Sequence, residues 1–287
     1  MKRIYILFVA VSVAYLSSAQ NSIRPNIYLQ DMQYYNPAAA TIDSNYRSQT
    51  AVYGKYKSVE NNDAVWNKPM NIWLSHVGRI GMSNSFYTIS YVNDQYSYFS
   101  RNALYIGYVR QAKIGRSSTF SYGGRIVANI DHVNWNRFEL PSHQNGKSVY
   151  FNPDLDLGAS YEFKRLRAGI GFKNLLGAST KVENAILLKN RREVNVSLSY
   201  RQNIIGEQFT IAPFVLLAHE RSALIDAGLC FAVKNKFRAS YALRVNELKS
   251  VILLDADVTK KWSIGVSYDR SSLVSDNNFD FVLRFRR

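Results

Sequence analysis

A two-residue alternation of apolar and polar side chains recurs along this chain from about residue 48 to its last residues. In the segment KWSIGVSYDR, for example, Trp262, Ile264 and Val266 fall on one face, whereas small and polar residues fall on the other. The segments REVNVSLSYR and DLDLGASYEF repeat the pattern. Such alternation predicts β-strands with one apolar face, and no helical periodicity of useful length competes with it.

The spacing of these segments indicates how the strands are assembled. About 14 of them can be drawn, and most have about ten residues, the length that a tilted strand needs to cross a bilayer. Short connections alternate with longer ones, as periplasmic turns alternate with surface loops in bacterial outer-membrane barrels. The longer connections span residues 59–69, 133–153, 175–190 and 271–277. The sequence therefore predicts an all-β fold, a transmembrane antiparallel β-barrel of about 14 strands and of the outer-membrane type, over residues 48–287.

The polar faces of the predicted strands carry charges of both signs. In a soluble β-sandwich, the alternative fold, these would be solvated outer faces. In a barrel they would line a polar lumen and close it through mutual ion pairs. We favour the barrel because mean hydropathy is modest (−0.21) while Tyr (20) and Phe (15) are abundant, as expected for strands that are only half apolar. The charged residues are Arg125, Arg167, Arg201, Arg238, Arg244 and Arg284 with Asp154, Asp156, Glu162, Asp226 and Asp269.

Pro213 falls inside one of the predicted strands, at residues 207–219. A proline has no N–H to donate to a closed ladder. We therefore expect a bulge at this position, or a shorter strand.

The first residues predict an export signal. Two basic residues precede an apolar run over residues 4–16, and Ser17 and Ala19 follow at the positions that a signal peptidase reads. The run is too short to span a bilayer of about 30 Å as a helix, although a retained N-terminal anchor is an alternative. We predict that residues 1–19 are a cleaved signal peptide, that residues 20–47 form a periplasmic or lumenal segment, and that the protein reaches the outer membrane.

Charge and cysteine content narrow the classes of function. The formal net charge of +15 falls to +13 without Lys2 and Arg3 of the predicted signal peptide. The basic residues are scattered, with no basic helix, zinc-finger spacing or RNA-recognition signature, which argues against a nucleic-acid partner. An acidic partner or anionic lipid fits the charge better. The single cysteine, Cys230, excludes an intrachain disulfide, so an exported chain of this kind needs a large core or a membrane to hold it together.

The sequence contains no constellation typical of an enzyme. Its four histidines have no metal-ligand spacing to one another or to the cysteine, and it has neither a Gly-x-Ser-x-Gly elbow nor a phosphate-cradling glycine loop. A rim-located active site would have to use Ser142 and His143 in PSHQNG, or His219 in AHERS. Each is more simply a polar loop or strand end. We predict no catalysis, no cofactor, no metal and no small-molecule substrate.

Aromatic and basic residues mark the ends of the predicted strands. Trp66, Trp73, Trp135 and Trp262, with many tyrosines, predict girdles at the membrane interfaces, and contacts with a partner or sugars are the alternative. The short connections are basic. They would either face lipid headgroups or dock an acidic periplasmic partner. Their basic residues are Lys113, Arg116, Lys164, Arg165, Lys234, Lys236, Lys260 and Lys261.

The stretch LQDMQYYNPAAATID, residues 29–43, fits neither an amphipathic helix nor a regular strand. We predict that it lies in the periplasmic mouth or the lumen of the barrel, with its tyrosines against the inner wall, whereas a mobile tail is the alternative. Its Asn-Pro pair would set an extended turn, because a residue before proline disfavours the helical region. Four residues of this stretch and six residues of the basic turns are the candidate partner-binding residues. They are Tyr34, Tyr35, Asn36, Pro37, Lys164, Arg165, Lys234, Lys236, Lys260 and Lys261.

Three stretches carry a family resemblance. The amide-rich and aromatic segment running into Asn36-Pro37 is the first, and FNPDLDLGASYEFKRLRAGIGFKNLLGAS, residues 151–179, is the second. The third is the terminal pair WSIGVSYDRS and NFDFVLRFRR. Together they resemble the start, the central hairpin and the final hairpin of the PorP/SprF family, outer-membrane proteins of the type IX secretion and gliding apparatus of Bacteroidetes. Two departures are the tract 59–100, which shows little of the pattern, and the end on Arg287 rather than on an aromatic residue.

The resemblance implies a non-enzymatic role. Members of this family work with the secretion machinery, either as a core envelope component or as the partner of one exported protein. The resemblance therefore implies three kinds of partner: outer-membrane lipid, type IX components, or a secreted protein that carries a type IX C-terminal signal. The barrel would assist the export or surface attachment of that secreted protein. A diffusion porin is the alternative function, since a barrel of about 14 strands has room for a channel.

Overall fold

The computed structural model describes residues 25–29, 31–43, 45–58, 70–96, 99–135, 146–182, 185–205, 208–219, 223–234, 236–271 and 277–287. Over these ranges the chain forms a closed antiparallel β-barrel of 14 strands. This part of the chain contains short 3₁₀ turns but no α-helix, and no helix in it is long and apolar enough to cross a membrane.

The wall is built from strands that follow one another in sequence. They are β1 (Ser48–Ser58), β2 (Met70–Arg79), β3 (Ser85–Tyr96), β4 (Phe99–Ile114), β5 (Ser118–Asn134), β6 (Lys147–Phe163), β7 (Leu166–Lys173), β8 (Ser179–Val182), β9 (Ala185–Lys189), β10 (Glu193–Tyr200), β11 (Gln202–Ile205), β12 (Phe209–His219), β13 (Ala223–Val233), β14 (Phe237–Arg244), β15 (Lys249–Asp257), β16 (Trp262–Ser271) and β17 (Asn277–Arg286). β1 pairs with β17 and closes the barrel. β10 and β11 both pair with β12 and share one wall position, whereas β8 and β9 form a separate hairpin between β7 and β10.

The predicted barrel of about 14 strands is therefore confirmed, and the strand boundaries differ from the prediction mainly in one region. β6 begins at Lys147 rather than at residue 154, because β5 and β6 pair along their whole length. Pro153 lies within this ladder, opposite Ala128. The surface loop predicted over residues 133–153 is correspondingly shorter.

The bulge expected at Pro213 does not occur in β12. This strand keeps an unbroken register with β13, in which Pro213 lies opposite Leu229. The interruption falls on the other neighbour instead, where β10 ends at Tyr200 and β11 begins at Gln202. Since proline cannot donate a ladder hydrogen bond, the wall tolerates it by breaking the adjacent strand rather than its own.

Alternation along each strand separates two surfaces. On β5, Ile126 is 67% exposed on the outer surface, whereas the preceding Arg125 is 7% exposed and points into the lumen. β17 repeats the pattern with Phe281 exposed and Asp280 fully buried. On these strands the outward-facing side chains are apolar and form a surface that suits lipid, whereas the inward-facing side chains are polar.

The tryptophans only partly follow the predicted girdles. Trp73 points inward, is 5% exposed and packs with Tyr53 in the lumen, so the girdle prediction was wrong for this residue. Trp135 is also buried and donates through Nε1 to Ser148 Oγ (2.8 Å). Trp262 lies on the outer surface at the start of β16. Trp66 lies outside the described residues.

Val266 lies midway along β16 on the outer surface and tests the assignment of that surface to lipid. An arginine near the bilayer midplane costs a barrel about 2–4 kcal/mol. We expect Val266→Arg to lower the free energy of unfolding by this amount in urea titrations of the protein in lipid vesicles. Val258→Arg, in the exposed bend after β15, is the control and should cost about 0–1 kcal/mol. Equal losses for the two variants would contradict the assignment.

Candidate functional site

Residues 25–43, here called the lumenal segment, run inside the barrel. They form three short 3₁₀ turns, Asn26–Leu29, Met32–Tyr34 and Pro37–Ala39. Asp31 and Asn36 cap the second and third turns through their side chains, so the local sequence sets this irregular path. The segment makes its contacts with inward-facing residues of the wall, and it leads into β1 at the end of the barrel that carries the short turns. We call that end the short-turn rim, and it faces the periplasm in barrels of this type.

Asn36 anchors the segment to β6. Its backbone is extended (φ −128°, ψ 107°), as expected before Pro37. Its side-chain oxygen accepts from Ala38 N (2.9 Å), and its Nδ2 donates to the carbonyl of Ala159 on the wall (2.9 Å). One asparagine therefore satisfies both the local turn and the wall.

Three glycines of β6 and β7 leave room for this contact. A Cβ atom at Gly158 would overlap Asn36 Oδ1, and one at Gly171 would overlap the carbonyl oxygen of Tyr35. A Cβ at Gly169 would press on the Asn36 amide. The glycines are thus required by close approach of the lumenal segment to the wall rather than by strand geometry.

Arg125 on β5 holds the middle of the segment. Its Nε donates to Asp156 Oδ2 (2.7 Å), while its terminal nitrogens donate to the carbonyls of Gln33 (2.8 Å) and Tyr34 (2.9 Å). Asn195 on β10 donates to the carbonyl of the next residue of the segment (2.8 Å). Backbone acceptors that would be unsatisfied in an irregular segment are in this way satisfied by the wall.

The two tyrosines of the segment pack against the wall and each other. Their rings meet edge to face at 5.1 Å, and Tyr34 lies edge to face with Trp73 at 5.6 Å. The ammonium of Lys173 lies 4.0 Å from the centre of the Tyr34 ring. Tyr35 is 1% exposed. The candidate residues Tyr34, Tyr35, Asn36 and Pro37 are thus engaged with the barrel's own wall.

Asn26 is the centre of a polar cluster in the half of the lumen away from the short-turn rim. It accepts from Arg244 on β14 (2.7 Å) and donates through Nδ2 to Asp269 on β16 (2.8 Å). Its backbone N donates to the hydroxyl of Tyr53 on β1 (3.0 Å). The side chain has no exposed surface. Sequence reasoning missed this residue because a single asparagine in SIRPNIYLQ carries no periodic or spacing signal.

Two ionisable groups of the lumenal segment respond to burial. Burial raises the pKa of the Tyr28 hydroxyl well above its ordinary value, with Arg244 acting in the opposite direction, so the neutral hydroxyl donates to Asp226. Burial also raises the pKa of the Asp31 carboxyl, partly offset by the charge of Arg284 and by hydrogen bonds from Gln33. Placing Asp31 in the lumen therefore has a solvation cost, which these donors reduce.

Opposite charges of the wall pair inside the lumen, as the sequence predicted. Arg167 and Glu162 also pair, but at the rim and with both side chains about half exposed (54% and 48%). Buried charges are stable only when paired and hydrogen-bonded, so the pairs and the lumenal segment together fill the interior. The lumenal pairs include Arg101–Asp131 (2.6 Å), Arg125–Asp156 (2.7 Å), Lys55–Asp269 (2.9 Å), Lys249–Asp269 (3.2 Å), Arg244–Asp226 (3.6 Å), Lys173–Glu193 (3.7 Å) and Asp255 with both Arg238 and Arg284.

The basic candidates lie apart from the lumenal ones, on the short-turn rim. All are exposed, and two of the turn residues, Lys164 and Lys234, have left-handed backbone angles (φ 53° and 50°). The structure therefore does not unite the candidate residues into one site. The exposed basic residues are Lys113, Arg116, Lys164, Arg165, Lys234, Lys236, Lys260 and Lys261.

The described residues offer no group of three or more His, Cys, Asp or Glu side chains placed to hold a metal ion. His76 lies between the hydroxyls of Thr50 (2.9 Å) and Tyr87 (3.2 Å). His219 is exposed at the end of β12, and His143 lies outside the described residues.

Gly158→Ala tests the close contact between wall and segment. The added methyl group overlaps Asn36, and overpacking of this kind costs about 1–3 kcal/mol. We expect a lower midpoint of thermal unfolding in detergent. Gly54→Ala is the control, because a Cβ atom there meets nothing within 4 Å. An unchanged midpoint for Gly158→Ala would show that Asn36 of the segment does not contact β6 at this position.

Arg125→Met tests the buried ion pair. It removes the donor to Asp156 Oδ2 and to two carbonyls of the segment, and breaking a buried ion pair by removing one partner costs about 3–5 kcal/mol. Arg167→Met removes the same side chain from an exposed pair and should cost about 0–1 kcal/mol. Both values come from denaturant unfolding in detergent, and similar losses would contradict a buried role for Arg125.

Solved outer-membrane proteins share this fold. The Acinetobacter baumannii outer membrane protein Omp33 superposes with a TM-score of 0.52 at 9% sequence identity, covering 84% of this chain and 98% of that one. The CymD monoaromatic hydrocarbon channel gives a TM-score of 0.56 at 10% identity, with 94% of each chain covered. The Pseudomonas putida toluene transporter TodX gives 0.54 at 11% identity, covering 94% and 95%. At these identities the likeness concerns the fold alone.

Sequence comparison gives a more specific result. No curated protein matches the chain. The family model described as type IX secretion system membrane protein PorP/SprF matches residues 17–285. This range is nearly the whole sequence, and it ends one residue before the end of β17. This match covers the lumenal segment as well as the wall. The chain therefore belongs to the PorP/SprF family of type IX secretion system membrane proteins.

Proposed function

We propose that this protein is a non-enzymatic outer-membrane component or partner of the type IX secretion and gliding machinery, which assists the export or surface attachment of a secreted protein with a type IX C-terminal signal. Family membership supports the secretion context. The outer-membrane barrel fold supports the location. Cleavage of residues 1–19 as a signal peptide, and the division at residues 20–47 and 48–287, belong to this proposal.

The filled lumen is the observation that carries the proposal. Inward-facing side chains on opposite sides of the wall are inaccessible to water, for example Asp131 (0% exposed), Asn195 (1%) and Arg284 (4%). A water-filled channel would leave such side chains wet. A barrel whose interior is occupied by its own N-terminal segment acts through its surfaces rather than through a pore.

The diffusion porin is the second candidate, and the likeness of the barrel to channel proteins favours it. The same lumenal contacts weigh against it, because a solute would have to displace the hydrogen bonds of Asn26, Asn36 and Arg125. The two functions differ in a measurable property, ion conductance.

We expect the purified protein to show no steady ion conductance in planar lipid bilayers. A variant lacking residues 20–43, checked for folding by its heat-dependent migration in gels, should conduct, because the deletion removes the lumenal segment. If the intact protein conducts ions steadily throughout the recording, the proposal is contradicted and the porin is favoured.

We also expect the tagged protein, purified from native outer membranes, to retain specific protein partners that mass spectrometry identifies. Recovery of periplasmic secretion components would identify a part of the machine. A single large secreted protein with a type IX C-terminal signal would identify a dedicated cargo partner. Recovery of the barrel alone, under conditions that preserve other membrane complexes, would contradict both roles.

A further inference from the structure

The short-turn rim carries an excess of positive charge that its own acidic residues do not balance. Besides the basic turn residues described above, Arg47 and Arg287 are exposed there. Of the acidic residues that the structure describes at this end, Asp43 accepts from Asn45 N (2.9 Å), Glu162 pairs with Arg167 (2.8 Å), and Asp257 pairs with Arg238 (2.7 Å) and Arg286 (3.2 Å). They are fewer than the basic residues. The remaining field is therefore strongly positive and faces the periplasm.

The basic side chains of the rim are arranged towards the mouth of the barrel. Arg47 and Arg79 continue the inward-facing series of β1 and β2, which includes the buried Tyr53 and Val77. Apolar side chains reach the rim on the outward face of three strands, at Leu166, Phe237 and Trp262, each exposed on the first residue of its strand, whereas β4 carries the exposed Arg110 on that face. Lipid therefore meets an apolar surface on these three strands, while a protein lying across the mouth meets the charge.

A cleft of about 460 Å³ lies within this rim, and Tyr46, Arg47, Arg79, Gly81 and Met82 line it. The two arginines are direct neighbours, because Arg79 N donates to the carbonyl of Arg47 (2.9 Å). Like charges placed side by side destabilise a ladder, so this arrangement does not contribute to folding by itself.

The Arg79 side chain is held in place, and one of its donors has no acceptor in the described part of the chain. Its guanidinium stacks over the ring of Phe86 at 5.4 Å. Its Nε is buried and has no hydrogen-bond partner among the residues that the structure describes. A buried donor left without an acceptor costs free energy, which an incoming anion would recover.

The lining indicates the chemistry of the occupant. Two arginines line one cleft, and a guanidinium group matches the paired oxygens of a carboxylate. The turn beside them adds an apolar contact, since Met82 is fully exposed, and leaves open space, since a Cβ atom at Gly81 would meet nothing within 4 Å. An acidic side chain with an apolar neighbour satisfies both features.

We propose that the short-turn rim docks an acidic protein of the periplasm, and that the cleft between Arg47 and Arg79 receives one of its carboxylates. The inference rests on the proposed function and adds to it the contact surface and the chemistry of the partner. An anionic lipid is disfavoured as the occupant because Arg47 and Arg79 continue the inward-facing series of β1 and β2, away from the outer surface that lipid contacts.

A binding experiment with the full purified protein tests the cleft. The probe is a fluorescent, N-acetylated octaglutamate peptide, followed by anisotropy in detergent. Since charge-assisted hydrogen bonds contribute about 1.5–3 kcal/mol, we expect Arg47→Gln with Arg79→Gln to weaken binding about tenfold or more. Lys189→Gln with Arg192→Gln, exposed at the opposite end, removes the same charge and should change binding less than about twofold.

Three outcomes would overturn the cleft as an anchor. They are equal weakening in both double variants, no weakening in either, and no binding of the peptide by the intact protein. Short-chain phosphatidylglycerol provides the lipid arm. If it binds the intact protein more tightly than the peptide does, and is lost with Arg47→Gln and Arg79→Gln, the occupant is a lipid headgroup and the acidic-protein proposal is wrong.

Cross-linking in cells tests the partner. A photo-reactive amino acid at position 82 should capture an acidic periplasmic protein, and the capture should be lost with Arg47→Gln and Arg79→Gln but kept with Lys189→Gln and Arg192→Gln. Secretion components that co-purify equally with both double variants would overturn the docking surface and leave the proposed function intact. If none co-purifies with the unchanged protein, the proposed function fails, whatever the peptide does.

Discussion

The contact of Arg125 with the lumenal segment is the constraint on which the interior depends. A guanidinium buried in a barrel needs hydrogen-bond acceptors, and among the described residues of the wall Asp156 supplies one. The remaining acceptors are carbonyls of Gln33 and Tyr34. The segment in turn has irregular backbone whose polar groups need partners inside the membrane. Wall and segment each contain polar groups that only the other satisfies, and they form one structure rather than a barrel with a tail.

A filled interior limits where this protein meets others. The outer surface carries exposed apolar side chains around the wall and suits lipid, and the lumen is occupied by paired charges and by the segment. The two rims remain. The long-loop end is separated from the short-turn rim by the whole length of the wall, so the two can contact different proteins at once.

The sequence was sufficient for the wall and insufficient for the interior. Alternation and bilayer thickness act on every strand locally, so the number and most boundaries of the strands follow from them. Trp73 was misplaced because its strand, NIWLSHV, has apolar residues on both faces. The meeting of Arg125 with Gln33, 92 residues apart, depends on the register of the closed barrel, which no local pattern encodes. The sequence also does not indicate that Lys164, in a tight basic turn, has left-handed backbone angles.

The seam between β1 and β17 has a consequence for assembly. It joins the first and last strands, so the wall is complete only when the whole chain has reached the membrane. The lumenal segment precedes β1 in the chain, yet its partners are spread over later strands, on β5, β10, β14 and β16. Its full set of hydrogen bonds exists only in the finished barrel. The hydrogen bonds of the segment therefore stabilise the closed barrel relative to open intermediates.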